Sequence, residues 1–99
     1  MKRFFLPMEK NKVLELFNEG MERLGMRDAV NIKQDEEKVF IRFTKMGTSC
    51  FTIVETKVAA GLEFEIAQED VAFAHRPFRK KIFSELEEII LRYGGRIIG

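Results

Sequence analysis

A two-layer α+β sandwich in the order α-β-β-β-β-α follows from three patterns in this 99-residue chain. Apolar residues recur at helical spacing near each end. They alternate with polar residues through the middle, and proline or glycine stands where the period changes. The predicted architecture is a four-stranded antiparallel meander with two helices on one face. It fills residues 1–99 as one domain, with short apolar ends at 1–6 and 96–99.

Pro7 suits the first turn of a helix, where its fixed φ fits and no N–H is needed. From it Val13, Phe17, Gly20, Met21 and Leu24 share one face, and Gly25 is a natural stop, so the spacing predicts a helix over 7–25. Val30 and Ile32 then alternate with Asn31 and Lys33, and the polar run Gln34–Glu37 reads as a four-residue turn. That turn pairs Ile32 with Val39 and Val30 with Ile41. Val39, Ile41 and Phe43 alternate in the second strand. A three-residue loop at Lys45-Met46-Gly47, a type I turn with Gly47 left-handed, puts them on the same face as Ser49, Phe51 and Ile53. A two-residue loop would split that face. After Val58–Gly61 an even-length loop keeps Leu62, Phe64 and Ile66 inside. The parity then slips before Val71, so Gln68-Glu69-Asp70 is a bulge or a short turn. Pro77 opens a second helix, predicted over 77–93, with Phe78, Ile82, Leu86 and Ile89 inward and Gly94-Gly95 as the stop. Val30, Ile41, Phe51, Ile53, Phe64, Ile66, Phe17, Met21 and Leu24 complete the expected core.

Composition excludes several classes. Lys and Arg total 17 and Asp and Glu 16, a formal charge of +1, which removes the broad electrostatic case for a nucleic-acid coat. Cys50 is the only cysteine and His75 the only histidine, so an intramolecular disulfide and a clustered zinc site are both out. No cofactor or metal is expected. Phe4-Phe5-Leu6 is too short for a signal-peptide core, and no run approaches the roughly 20 apolar residues of a membrane span. The expectation is a reduced cytoplasmic protein with no membrane partner.

Two surfaces stand out. The sheet face turned away from the helices carries Phe40 between Asn31 and Thr52, with Ala67 beyond and Val54 and Cys50 nearby. Lys33, Lys38 and Arg42 sit towards its first two strands, and Glu63 and Glu65 on its last. A two-fold axis bringing the basic half onto the acidic half would bury Phe40 against its mate. This favours a non-catalytic interaction module, a homodimer or a partner-protein binder, using Phe40, Arg42, Thr52 and Val54. A solvated sheet with one exposed ring is the bland alternative. The second surface is the entrance of the second helix, His75, Arg76, Arg79, Lys80 and Lys81, with Arg76 at the expected cap. Cations oppose the positive end of the helix dipole, so the second function reading is an anionic-ligand or nucleic-acid binder. Capping by Glu69 or Asp70, or plain solvation, explains the cluster equally. An enzyme is the third reading: Cys50 with His75, or His75 with Glu69 or Asp70, are the pairs available, and no glycine-rich phosphate loop accompanies them.

Overall fold

The computed structural model describes residues 2–99. Strand β1 (Arg3–Leu6) leads into helix α1 (Lys10–Arg23), and a 3-10 turn at Arg27–Ala29 leads into β2 (Val30–Asp35). Then come β3 (Lys38–Phe43), β4 (Ser49–Val58) and β5 (Gly61–Asp70), a second 3-10 turn at Phe73–His75, helix α2 (Arg76–Arg92) and β6 (Arg96–Ile97). The fold is α+β, as the alternating periods predict. The four central strands follow sequence order, but the sheet has six, in the order β2-β3-β4-β5-β1-β6, and every pairing is antiparallel.

The two additional strands come from the apolar ends. Phe4, Phe5 and Leu6 pair with Phe64, Glu63 and Leu62 of β5, and Ile97 and Arg96 pair with Phe4 and Phe5 on the outer side. Pro7 therefore lies in a turn, not in a helix, and α1 starts at Lys10 with Glu9 at its cap. The reason is close packing: a Cβ on Gly61 would stand 2.3 Å from the Leu6 carbonyl and 2.7 Å from Pro7 Cα. β1 is drawn flush against β5 there. The second helix begins one residue early, with His75 in the cap position.

Both predicted glycine stops hold. At the end of α1 the Gly25 N–H reaches the Glu22 carbonyl and the Met26 N–H the Met21 carbonyl, each at 2.9 Å, with Gly25 at φ +70°. Gly94 and Gly95 repeat the arrangement after α2. These paired bonds satisfy carbonyls that the helix leaves free.

The β3–β4 register is the one the coherent apolar face requires, with Phe43 opposite Ser49 and Ile41 opposite Phe51. Within the turn the left-handed residue is Met46 as well as Gly47. The β2–β3 register differs by two residues: Ile32 faces Ile41 and Val30 faces Phe43. Gln34 and Asp35 continue the strand, so only Glu36 and Glu37 turn, with Glu36 at φ +53°. The parity slip is a bulge, but it lies at Ala67, and Gln68, Glu69 and Asp70, expected to form it, continue the strand opposite Thr52, Phe51 and Cys50. Thr52 faces Gln68 and Ile53 faces Ile66, leaving Ala67 unpaired.

Both helices pack on one face of the sheet. Val13, Phe17 and Met21 of α1 and Ile82 and Ile90 of α2 join the inward strand residues in one buried cluster. Phe4 stacks on Phe64 at 5.0 Å, and Phe17 meets both edge-on at 6.3 and 6.2 Å. Burying each such ring stabilises by about 1.5–3 kcal/mol. Phe78, expected inside, is 44% exposed, because in the first turn of α2 it borders an open groove with Leu24, Met26 and Met46 and not the closed core. Val30, Leu24 and Leu86 are half-buried at the core margin.

Candidate functional site

Among the described residues no helix lies over the outer face of the sheet, and strand pairing arranges that face in rows. One row runs Asp35, Lys38, Val54, Glu65, Arg3 across five strands. Beside it lies Lys33, Phe40, Thr52, Gln68, and beyond that Asn31, Arg42, Cys50, Asp70. The neighbours of Phe40 are thus Lys33 and Thr52, not Asn31, and Gln68 replaces Ala67 beyond, for the register and bulge reasons given above. Phe40, Thr52 and Val54 are half-buried and Arg42 is exposed, so the structure brings the four predicted face residues together on β3 and β4. Glu63 and Glu65 are not at a sheet edge, since β1 and β6 add Arg3 and Arg96 outside them. The face is striped in charge rather than halved. Phe5 also points outward, yet it is only 7% exposed because the Arg96 guanidinium lies 4.9 Å over its ring.

The α2 entrance is partly partnered within the chain. The bulge turns Glu69 inward, where it takes Arg79 in two bonds of 2.7 and 3.0 Å. Arg79 also lies 4.4 Å over the Phe83 ring. The hydrogen bond to Glu69, with its charge, raises the Arg79 pKa above the ordinary value despite some desolvation. Arg76 stacks on Phe73 at 5.4 Å, while Lys80 and Lys81 are exposed. His75 is buried and does not join them.

His75 has a different role. Its Nε2 bonds the Lys45 carbonyl, and its Nδ1 lies 2.6 Å from Ser49 Oγ. A carbonyl only accepts, so Nε2 carries the proton. In the neutral ring Nδ1 then accepts from the Ser49 hydroxyl, whose oxygen accepts the Ala72 N–H at 2.8 Å. The chain of bonds ties the β3–β4 turn to the start of α2. A serine beside an imidazole has the composition of an activated nucleophile, but Ser49 is 1% exposed, so no substrate carbonyl reaches its oxygen. Cys50 follows Ser49 on β4 and faces outward, so it is on the other side of the sheet from His75. Glu69 is committed to Arg79, and Asp70 faces outward with Gln68, 3.2 Å away.

Sequence reasoning missed two inward polar groups. Ser49 shares the parity of Phe51 and Ile53, and a polar side chain on a buried face demands a partner. Glu55 shares that parity too. It pairs with Lys10 at 2.8 Å, and Lys10 also donates to the Glu36 carbonyl at 2.7 Å, closing the sheet onto the start of α1. Among the described residues no group of three or more His, Cys, Asp or Glu is placed to hold a metal. The cavity between helices and sheet is about 30 Å³ and lined almost wholly by apolar residues such as Phe17, Phe51 and Leu86. That is room for about one water. No helix of the described residues is long and apolar enough to cross a membrane.

Comparison with known protein families, with curated proteins and with solved structures gives no match to this chain.

Proposed function

We propose that this chain is a non-catalytic interaction module that recognises a protein surface through its open sheet face. The observation supporting this reading is the contiguous half-buried group Phe40, Cys50, Thr52 and Val54 at the centre of a sheet with helices on only one side. An apolar centre with an aromatic ring, surrounded by charged side chains, has the anatomy of a protein–protein interface. The backbone of β3 and β4 is already paired on both sides, so recognition runs through side chains. The reading needs no cofactor and suits a reducing, cytoplasmic setting in which Cys50 stays a thiol.

Site-specific photo-crosslinking tests it. A photoreactive residue is placed at Arg42 or Thr52 on the open face, or at Asn11 or Ser84 on the exposed sides of the helices, in the full chain expressed in its source cells. Discrete protein adducts from the two face positions and none from the helix positions are expected. Adducts equally frequent at all four positions, or none from the face, would overturn the reading.

A further inference from the structure

Resting on the open-face reading, we propose that the surface this face recognises is a second copy of the same chain, docked about a two-fold axis that runs along β4. The carrying observation is the order of charges across the sheet. Read from β2 to β1, the row Asp35, Lys38, Val54, Glu65, Arg3 is negative, positive, neutral, negative, positive. It is antisymmetric about β4. The row through Arg42, Cys50 and Asp70 is positive, neutral, negative about the same strand.

A two-fold axis in the interface plane, parallel to β4, carries each strand to the opposite side of β4 at the same level. β3 of one copy then lies over β5 of the other, and β2 over β1. Lys38 meets Glu65, Arg42 meets Asp70 and Asp35 meets Arg3, each contact occurring twice by symmetry. Val54, Thr52 and Cys50 lie along the axis and Phe40 beside it, over Gln68. The apolar centre is dry and the charged pairs flank it. Strands stand about 4.8 Å apart, so β3 and β5 are each one spacing from the axis, and face-to-face sheets about 10 Å apart let long side chains meet. Lys33, Glu63 and Arg96 are the charges of this face that meet no opposite charge across that axis.

Two features of the fold create the pattern. The Ala67 bulge changes the parity of β5, which turns Asp70 outward to the level of Arg42. The insertion of β1 beside β5 supplies Arg3 opposite Asp35. A basic half facing an acidic half would put the axis between whole halves of the sheet and set Phe40 on its mate. The observed stripes put the axis one strand away, on β4.

The test is a charge swap in the purified full chain, read by sedimentation. Wild type is expected to form a dimer. Lys38→Glu with Arg42→Glu, and separately Glu65→Lys with Asp70→Lys, should each weaken self-association about tenfold or more, because like charges then face each other at four contacts. An equimolar mixture of the two variants should associate again, since every reversed cation of one then faces a reversed acid of the other. That recovery also shows that both variants are folded. Phe40→Asp separates the inference from the reading it rests on. A dimer that Phe40→Asp disrupts, but that the mixture does not restore, overturns the β4 axis and leaves the open face as the interface. A dimer indifferent to Phe40→Asp overturns the second copy on this face, and the crosslinking experiment then decides the open-face reading. Wild type that stays monomeric at millimolar concentration overturns the second copy, and the crosslinking experiment then decides the face alone: an adduct heavier or lighter than two chains identifies a different protein on it.

Discussion

Ser49→Ala should destabilise the fold far more than the loss of one hydroxyl suggests. The substitution removes a donor and an acceptor together. Nδ1 of His75, a residue only 7% exposed, loses its partner at 2.6 Å, and the Ala72 N–H loses its acceptor at 2.8 Å. An orphaned buried polar atom costs about 1–3 kcal/mol, and the half-buried N–H, which water can reach, about 1 kcal/mol. The sum is about 2–4 kcal/mol. Urea slopes for small proteins lie at about 1–3 kcal/mol/M, so the midpoint should fall by about 0.7–4 M with an unchanged slope. His75→Phe alone should cost less on the Lys45 side, because that residue is exposed and its carbonyl can turn to solvent. The double substitution should cost less than the sum of the singles by about 1 kcal/mol or more, since neither change orphans the other's partner. Nitrogen chemical shifts of the neutral His75 ring should show the proton on Nε2. A loss below about 0.5 kcal/mol in Ser49→Ala, or a proton on Nδ1, refutes the bonding chain.

Two other changes probe separate contacts. Gly61→Ala should cost several kcal/mol, because the new Cβ meets backbone at 2.3 and 2.7 Å and must push β1 off β5, whereas Gly25→Ala, with no atom within 4 Å, should cost only about 1–2 kcal/mol for its left-handed φ; equal losses in thermal melts would remove the close-packing argument. Glu69→Gln should cost about 0.5 kcal/mol at low salt and less at high salt, given a pair with side chains 29% and 47% exposed. It should also make sulfate more stabilising than chloride by releasing Arg79, and an equal sulfate effect in wild type would show Arg79 already free. The Arg79 pKa is raised, so its contribution is fully present below the unfolded value and fades only above it. Through that group, melting temperature should therefore not vary from about pH 6 to 9.

How much of this was legible depends on which contacts are local. The helices follow from repeated apolar positions, and their ends from Gly25 and Gly94. The β3–β4 register follows because one loop length alone gives Phe43, Phe51 and Ile53 a common side. The β2–β3 register was not readable, since Gln34 and Asp35 extend the strand with no apolar signal and a glutamate takes the left-handed turn position. β1 and β6 are short, and nothing near them in sequence tells that Phe4 will lie on Phe64. The outer face is the mixed case. Phe40, Thr52 and Val54 could be placed from alternation alone. The position of Asp70 depends on the bulge, and that of Arg3 on the far pairing, so the striped order of charge needed the structure.

The placement of β1 bears on how the chain acquires its shape. β1 precedes every other described element, yet its sheet partners are β5 and β6, which begin only at Gly61 and Arg96. During synthesis Phe4, Phe5 and Leu6 emerge long before the strand that covers them exists. The hairpins joining β2 to β5 close short loops and can assemble without it, which makes them the natural nucleus. That order predicts that β1 docks last, closing the long loop between it and β5. Until it does, an apolar three-residue segment and the free edge of β5 are both exposed to other nascent chains. Mutations at Gly61 or Phe4 should thus act mainly on unfolding rates, whereas changes at Ile41 or Phe51 should slow folding itself.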